Sequence, residues 1–134
     1  MKATRFLIVD DDVEDQELFI DAVKEVDDTI ECISVYNGEE ALNFLNSNPS
    51  PLPDYIFMDL NMPILNGIQC LAEIKKTEQL HHIPVFIYTT SNWSRNEEET
   101  RKLGAHHFFT KPVRFADICE YISSMLVQFP VARQ

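Results

Sequence analysis

The stretch Tyr55-Ile56-Phe57-Met58-Asp59-Leu60-Asn61-Met62-Pro63 decides the fold. Its first four residues are apolar and aromatic-rich, follow Pro53-Asp54, and read as a short strand buried on both faces. The run ends in a carboxylate and breaks at Asn61-Met62-Pro63. A strand that is dry on both faces leaves a charge only at its tip, which places Asp59 where the sheet opens to solvent. In open α/β sheets that edge is where ligands bind. A strand-ending Asp that only caps a turn has the same local sequence, so the other strands must decide between the two readings.

Working outward, Phe6-Leu7-Ile8-Val9 is a second apolar run and ends in Asp10-Asp11-Asp12. Leu18, Phe19, Ala22, Val23 and Val26 recur at helical spacing, predicting a helix from about Val13 to Val26. Asp12 is its N-cap, and Glu14 and Asp15 stand in the first turn, where the helix dipole favours negative charge. One acid suffices as a cap, which leaves Asp10 and Asp11 unexplained. The segment from Ile30 to Val35 alternates like an edge or half-buried strand. Asn37-Gly38 turns the chain into a helix from Glu39, with Ala41, Leu42 and Leu45 on one side. The breaker-rich segment 46–53 is a surface loop.

Beyond Asp59, Asn66-Gly67 opens a helix that turns Ile68, Leu71, Ala72 and Ile74 inward. Pro84 to Tyr88 is a fourth strand, ending in Thr89-Thr90-Ser91. Ser94 with Glu97 has the capping-box spacing for the next helix, which Gly104 stops. His107 to Thr110 is a fifth strand that runs into Lys111-Pro112. The last helix presents Phe115, Ile118, Ile122, Met125 and Leu126 to the core. Five strand–helix alternations with mostly short links predict an α/β domain with a parallel, doubly wound sheet. The ligand edge of that sheet then collects Asp10 and Asp11, Asp59, Thr89 and Lys111.

Composition narrows the chemistry. A chain of 134 residues with 45% hydrophobic and 25% charged residues is long enough for one cored domain. A net charge of -11, from 22 acidic and 11 basic residues, argues against a nucleic-acid surface and against adsorption to anionic lipid. The three cysteines, Cys32, Cys70 and Cys119, are odd in number and far apart, which fits reduced thiols in a cytoplasmic protein. No segment has the length of a membrane span or the pattern of a signal peptide.

Three carboxylates at one edge repel one another and either share a proton or bind a cation. Oxygen donors without His or Cys suit a hard cation, and Mg²⁺ fits a small site that keeps several waters. Adding a lysine and a hydroxyl gives a set suited to phosphoryl transfer onto a carboxylate, with Asp59 as nucleophile. Singly, Lys111 is equally a strand-end cation and Thr89 a turn hydroxyl; the agreement of all the strand ends favours the site.

From Phe6-Leu7-Ile8-Val9-Asp10-Asp11, Met58-Asp59-Leu60-Asn61-Met62-Pro63, Thr89 and Lys111-Pro112, the chain resembles the receiver domain of two-component response regulators. The resemblance covers residues 4–128, leaving 129–134 as a C-terminal tail, and implies the flavodoxin-like (βα)5 fold with strand order 2-1-3-4-5. It further implies that Asp59 is the phosphoacceptor, Asp11 the direct Mg²⁺ ligand and Asp10 its companion, with Asn61 offering a backbone carbonyl to the metal. Lys111 would pair with the acids and the phosphoryl group, Thr89 would move toward the phosphate, and Phe108 occupies the aromatic switch position. Asn61 and Ser91 occupy the positions that tune dephosphorylation. Gly67 matches the glycine that follows the phosphorylation loop, preceded here by Asn66 where the family often has Asp.

The implied partners are a sensor histidine kinase or histidine phosphotransfer protein, and a downstream protein target on the face of the fourth helix, fifth strand and fifth helix. A monomer or weak dimer is expected, without nucleic acid or membrane. Too little chain follows the fifth helix for an output module, so a free-standing receiver is expected. Its Asp59-to-Pro63 and Thr89-to-Asn92 stretches resemble the stand-alone class, some members of which partner with phytochrome-type kinases. Three rivals exist. A haloacid-dehalogenase-type phosphatase also phosphorylates a strand-end Asp but places a general acid two residues on, where this chain has Asn61. A flavodoxin-like FMN protein needs a phosphate loop where this chain has three acids. A phosphorylation-independent adaptor of the same shape is the third.

His106-His107 and His81-His82 invite a metal reading, but adjacent strand residues point to opposite faces and His81-His82 lies in a loop.

Overall fold

The computed structural model describes residues 3–90 and 94–131, and of 94–96 the backbone alone. The apolar runs form β1 (Arg5–Val9), β2 (Glu31–Val35), β3 (Tyr55–Met58), β4 (Val85–Thr89) and β5 (His107–Thr110). They pair in parallel in the order β2-β1-β3-β4-β5. Between and after them run α1 (Val13–Val26), α2 (Gly38–Asn46), α3 (Gly67–Lys76), α4 (Ser94–Lys102) and α5 (Phe115–Gln128). The strand order is the flavodoxin-like one expected.

Strand alternation divides the core into two layers. Leu7 and Val9 face Ala41 and Leu45 of α2 and Cys70, Leu71 and Ile74 of α3. Phe6 and Ile8 face Phe19, Ala22 and Val23 of α1 and Ile118, Ile122 and Met125 of α5. The second layer is aromatic: Phe6, Phe19, Tyr55, Phe57, Phe86 and Tyr88 form ring pairs with centroids 4.9–6.4 Å apart, mostly tilted or edge-to-face. Past α5, Phe129 and Val131 join this layer, and the Tyr55 hydroxyl donates to the Phe129 carbonyl.

The register carries the functional consequence. Val9 lies opposite both Val35 and Met58, Met58 opposite Ile87, and Thr89 opposite Thr110. The residues that follow β1, β3 and β5 therefore leave the sheet along one edge, beside the last residue of β4.

Local signals set the helix starts. Asp12 caps α1 by accepting from the Asp15 amide, and Asn37 caps α2 by accepting from Glu40. Asn66 and Gln69 form a reciprocal capping box on α3, a pairing the sequence reading passed over. The box expected at Ser94 and Glu97 lies outside the described residues.

Several side chains depart from expectation. Leu18 is 44% exposed and Gln16 is buried in its place, because the α1 stripe through Phe19, Ala22 and Val23 lies about 100° from Leu18. Phe115, at the end of the α5 stripe, is 41% exposed, and Tyr121 fills the core instead. On α3, Cys70 is buried while Ile68 and Ala72 are only half-buried. His106 precedes β5, so strand alternation does not separate it from His107: both rings lie against Phe86 and Phe129.

The cysteines are free, and burial pushes the Cys32 thiol up to about 11 and the Cys70 thiol up to about 12. Thiols so protonated are poor nucleophiles. No helix among the described residues is long and apolar enough to cross a membrane.

Candidate functional site

Asp59 follows β3 and is nearly buried, yet each of its oxygens has a donor. Oδ1 accepts from the Leu60 amide at 2.7 Å, from Thr89 Oγ1 at 2.6 Å and, at the limit, from the Asn61 amide at 3.4 Å. Oδ2 accepts from Lys111 Nζ at 3.2 Å. Thr89 is wholly buried at the end of β4, so its hydroxyl already lies at the carboxylate. The sheet edge thus brings together the four strand ends that the sequence pointed to.

Asp10 is held on both sides. Its Oδ1 accepts from the Asp12 amide at 3.0 Å and its Oδ2 from Lys111 at 2.6 Å. Gln16, from α1, donates through Nε2 to the carbonyls of Asp10 at 2.8 Å and Val35 at 2.6 Å, tying the end of β1 to the end of β2. Asp11 is exposed and lines an open groove with Asn61, Met62 and Pro63. Asp12 serves as the cap, as expected.

The Lys111 side chain is 7% exposed and donates to three carboxylates, the third being Asp15 at 2.8 Å. Burial alone would lower its ammonium, but the bonds to Asp10 and Asp15 and the charges of Asp59 and Asp10 outweigh it and hold it above the usual lysine range. Asp15 and Gln16 are the site residues missed by the sequence reading. A signal for Asp15 was present: it lies four residues before Phe19, on the inward stripe, whereas Glu14 and Glu17 do not.

Two glycines admit the loop that carries Asp59. A Cβ on Gly67 would stand 2.2 Å from the Asp59 carbonyl oxygen, and one on Gly38 would stand 2.6 Å from that of Leu65. Hydrogen bonds from Gly67 to Leu60 and from Gly38 to Leu65, both 3.0 Å, seal these approaches. Between them Ile64 adopts φ 69°, a conformation strained for a β-branched residue, with the Leu65 amide donating to Pro63.

Phe108 is half-buried on β5 and lines a small cavity with Thr100, Arg101 and Ala105, on the α4 side. Asn61 is exposed beside Asp59, and Ser91 lies outside the described residues.

Asp10, Asp11 and Asp59 each offer one carboxylate oxygen, and the three atoms lie within 4.8 Å of one another. Ligands on an octahedral Mg²⁺ stand about 2.9–4.2 Å apart, so the trio closes on that ion with little movement, and the donors are the hard oxygens it prefers. Burial pushes the Asp10 carboxyl up to about 6, helped by the Asp59 charge and opposed by the bonds from Lys111 and Asp12. Between 3.8, its ordinary value, and about 6, the folded chain binds this proton more tightly than the unfolded chain does. The contribution of Asp10 to stability therefore falls as pH rises through that window. A cation must displace the same proton, so Mg²⁺ affinity measured by calorimetry is expected to fall by up to about tenfold per pH unit below pH 6. An affinity unchanged from pH 7 to pH 5 would contradict this.

Known proteins place this geometry. The family model described as the response regulator receiver domain matches residues 6–123. The polar-differentiation response regulator DivK of Brucella anthropi is 31% identical over 120 residues, which make up 90% of this chain and 94% of that protein. The crystal structure of the Mn²⁺-bound response regulator Rcp1 superposes with a TM-score of 0.81 at 28% identity, covering 98% of this chain and 96% of that one. The phosphorylated cyanobacterial phytochrome response regulator RcpA gives a TM-score of 0.88 at 25% identity, with 98% of each chain covered. This chain belongs to the response regulator receiver domain family, the phosphorylatable switches of two-component signalling.

Proposed function

We propose that Asp59 is the phosphoacceptor of this receiver domain, and that a sensor histidine kinase or a histidine phosphotransfer protein is the donor. The observation that carries this reading is the convergence of Lys111 and Thr89, from two other strand ends, on the Asp59 carboxylate. An Asp59 carboxylate oxygen attacks the phosphorus, forming a P–O bond as the P–N bond to the donor imidazole breaks, and the imidazole leaves with a proton. Lys111 and Thr89 then donate to the phosphoryl oxygens, and the amides of Leu60 and Asn61 hold the carboxylate in place. Asp10, Asp11 and Asp59, with the Asn61 carbonyl, would hold Mg²⁺, which when bound neutralises phosphoryl charge. Hydrolysis by water returns Asp59 and inorganic phosphate.

Asn61 carries no ionisable proton, so the position of a general acid for multiple-turnover phosphatase chemistry is not filled. Asn61 and Ser91 flank the acceptor and would tune the lifetime of the phosphoryl group.

Output follows from charge. The acyl phosphate carries roughly −1.5 to −2 where the carboxylate carried −1, and spreads it over three further oxygens, drawing on the Thr89 hydroxyl and biasing the space beside Phe108. Among the described side chains of α4, only Thr100 is buried, and Glu97, Glu98 and Glu99 contact solvent. A helix with so little apolar anchorage shifts at small energetic cost, which makes the α4–β5–α5 face the natural surface for a downstream protein.

Incubation with Mg²⁺ and acetyl phosphate, read by intact mass, tests the proposal. Wild type is expected to gain about 80 Da, one phosphoryl group, and Asp59→Asn to gain nothing. No adduct with acetyl phosphate or phosphoramidate would favour the phosphorylation-independent adaptor.

A further inference from the structure

We propose that Asp15 is a positioning residue that holds Lys111 back from Asp59 and thereby restrains phosphorylation; the inference rests on Asp59 being the acceptor. An ammonium has three N–H groups, and here all three are engaged: Asp10 at 2.6 Å, Asp15 at 2.8 Å and Asp59 at 3.2 Å. The longest of the three goes to the acceptor. The two shorter bonds draw Nζ toward α1 and the end of β1.

Asp15 does not act here merely as an acid favoured by the helix dipole. Its side chain lines a small cavity together with Asp10, Asp59, Phe19 and Tyr88, the Tyr88 ring lying 6.0 Å beneath Nζ. Asp10 and Asp15 nevertheless differ in how readily they release the lysine. The Asp10 side chain is 6% exposed, and losing its partner would strand a buried charge; that of Asp15 is 33% exposed, and water can replace the ammonium. When a phosphoryl oxygen arrives and needs a donor, Asp15 is the acceptor that Lys111 exchanges.

Charge points the same way. Asp10, Asp15 and Asp59 share Lys111, Asp11 lies beside Asp10 and Asp59, and the phosphoryl group brings further negative charge. Asp15 adds a carboxylate that none of the proposed Mg²⁺ contacts neutralises. Its removal lowers the repulsion met by an anionic donor and frees one N–H of Lys111.

The test is the rate of phosphorylation by limiting acetyl phosphate with saturating Mg²⁺, followed by intact mass in wild type, Asp15→Asn, Asp15→Ala and Glu14→Gln. Removing a unit charge that shares the Lys111 ammonium with Asp59, in a partly solvated site, predicts a rate gain of about tenfold for Asp15→Asn. The gain should shrink as salt is raised, which a purely structural role would not produce. Asp15→Ala should gain at least as much. Glu14→Gln, which removes an exposed charge one residue away, should change the rate less than about twofold if screening acts as expected. Equal rates for wild type and Asp15→Asn, a slower Asp15→Asn, or the same gain from Glu14→Gln would each overturn the inference while leaving Asp59 as acceptor. A wild type that takes up no phosphoryl group would instead overturn the acceptor reading and this inference with it.

Discussion

Lys111→Met is expected to lower stability by about 3–5 kcal/mol at pH 7.5 in the absence of divalent cations, the usual penalty for removing one partner of a buried ion pair. For a domain of this size that is a fall in Tm of about 10 °C or more, read by calorimetry or circular dichroism. The cause is specific. Asp10 and Asp59 are 4% and 7% exposed, and Lys111 is the cation that reaches both. Methionine keeps the stem and removes the charge, leaving the buried Asp10 and Asp59 carboxyls without the cation they share. Two recoveries should follow from that cause. Lowering the pH toward 5 lets Asp10 take a proton and relieves the repulsion, and millimolar Mg²⁺ replaces the missing positive charge. The variant should also accept phosphoryl groups at least about 100-fold more slowly, the loss typical of removing one donor to developing charge. A Tm equal to wild type in chelator at pH 7.5 would show that Lys111 is not the compensating charge.

Gly67→Ala should damage the site through geometry alone. The added methyl would stand 2.2 Å from the Asp59 carbonyl oxygen and 2.8 Å from Leu60 Cα, and both are backbone atoms that cannot rotate away. Alanine is the better helix former, so an exposed α3 start would be stabilised by the change. Here α3 must instead lift off the end of β3, losing the Gly67 to Leu60 hydrogen bond and the packing of Cys70 beneath it. Overpacking of this kind costs about 1–3 kcal/mol or somewhat more. The larger effect falls on chemistry, because a shift of about 1 Å at Asp59 can slow transfer about 100-fold. Phosphorylation rate and Tm measured together separate the two losses. An alanine variant with wild-type kinetics would mean that the loop yields elsewhere and that the close approach does not position Asp59.

Both variants act on residues whose identity was legible in the chain while their partners were not. Asp10, Asp59, Thr89 and Lys111 each stand at the end of an apolar run, and a parallel sheet leaves no other place for them. That is why the edge could be assembled from pattern alone. The α1 boundaries and the Asp12 cap were equally legible, because Val13 to Val26 carries both a cap and a helical period. Leu18 and Phe115 were misplaced because hydrophobicity says that a residue prefers to be buried, not which 100° sector of the helix the sheet covers. Gln16 and Asp15 were missed for the converse reason. Polar side chains in a first turn have a local explanation, and only packing shows that these two turn inward.

What the sequence by itself determined is the order of elements, the parallel sheet and the set of charges at its edge, because strand and helix periods and strand-terminal acids are local properties. What only the tertiary structure decided is which of those charges touch. Strand register levels the ends of β1, β3 and β5, and Gly67 lets α3 press against the Asp59 backbone. Lys111 then meets three carboxylates instead of one, a contact spanning 101 residues to Asp10 and 96 to Asp15 that no local pattern encodes.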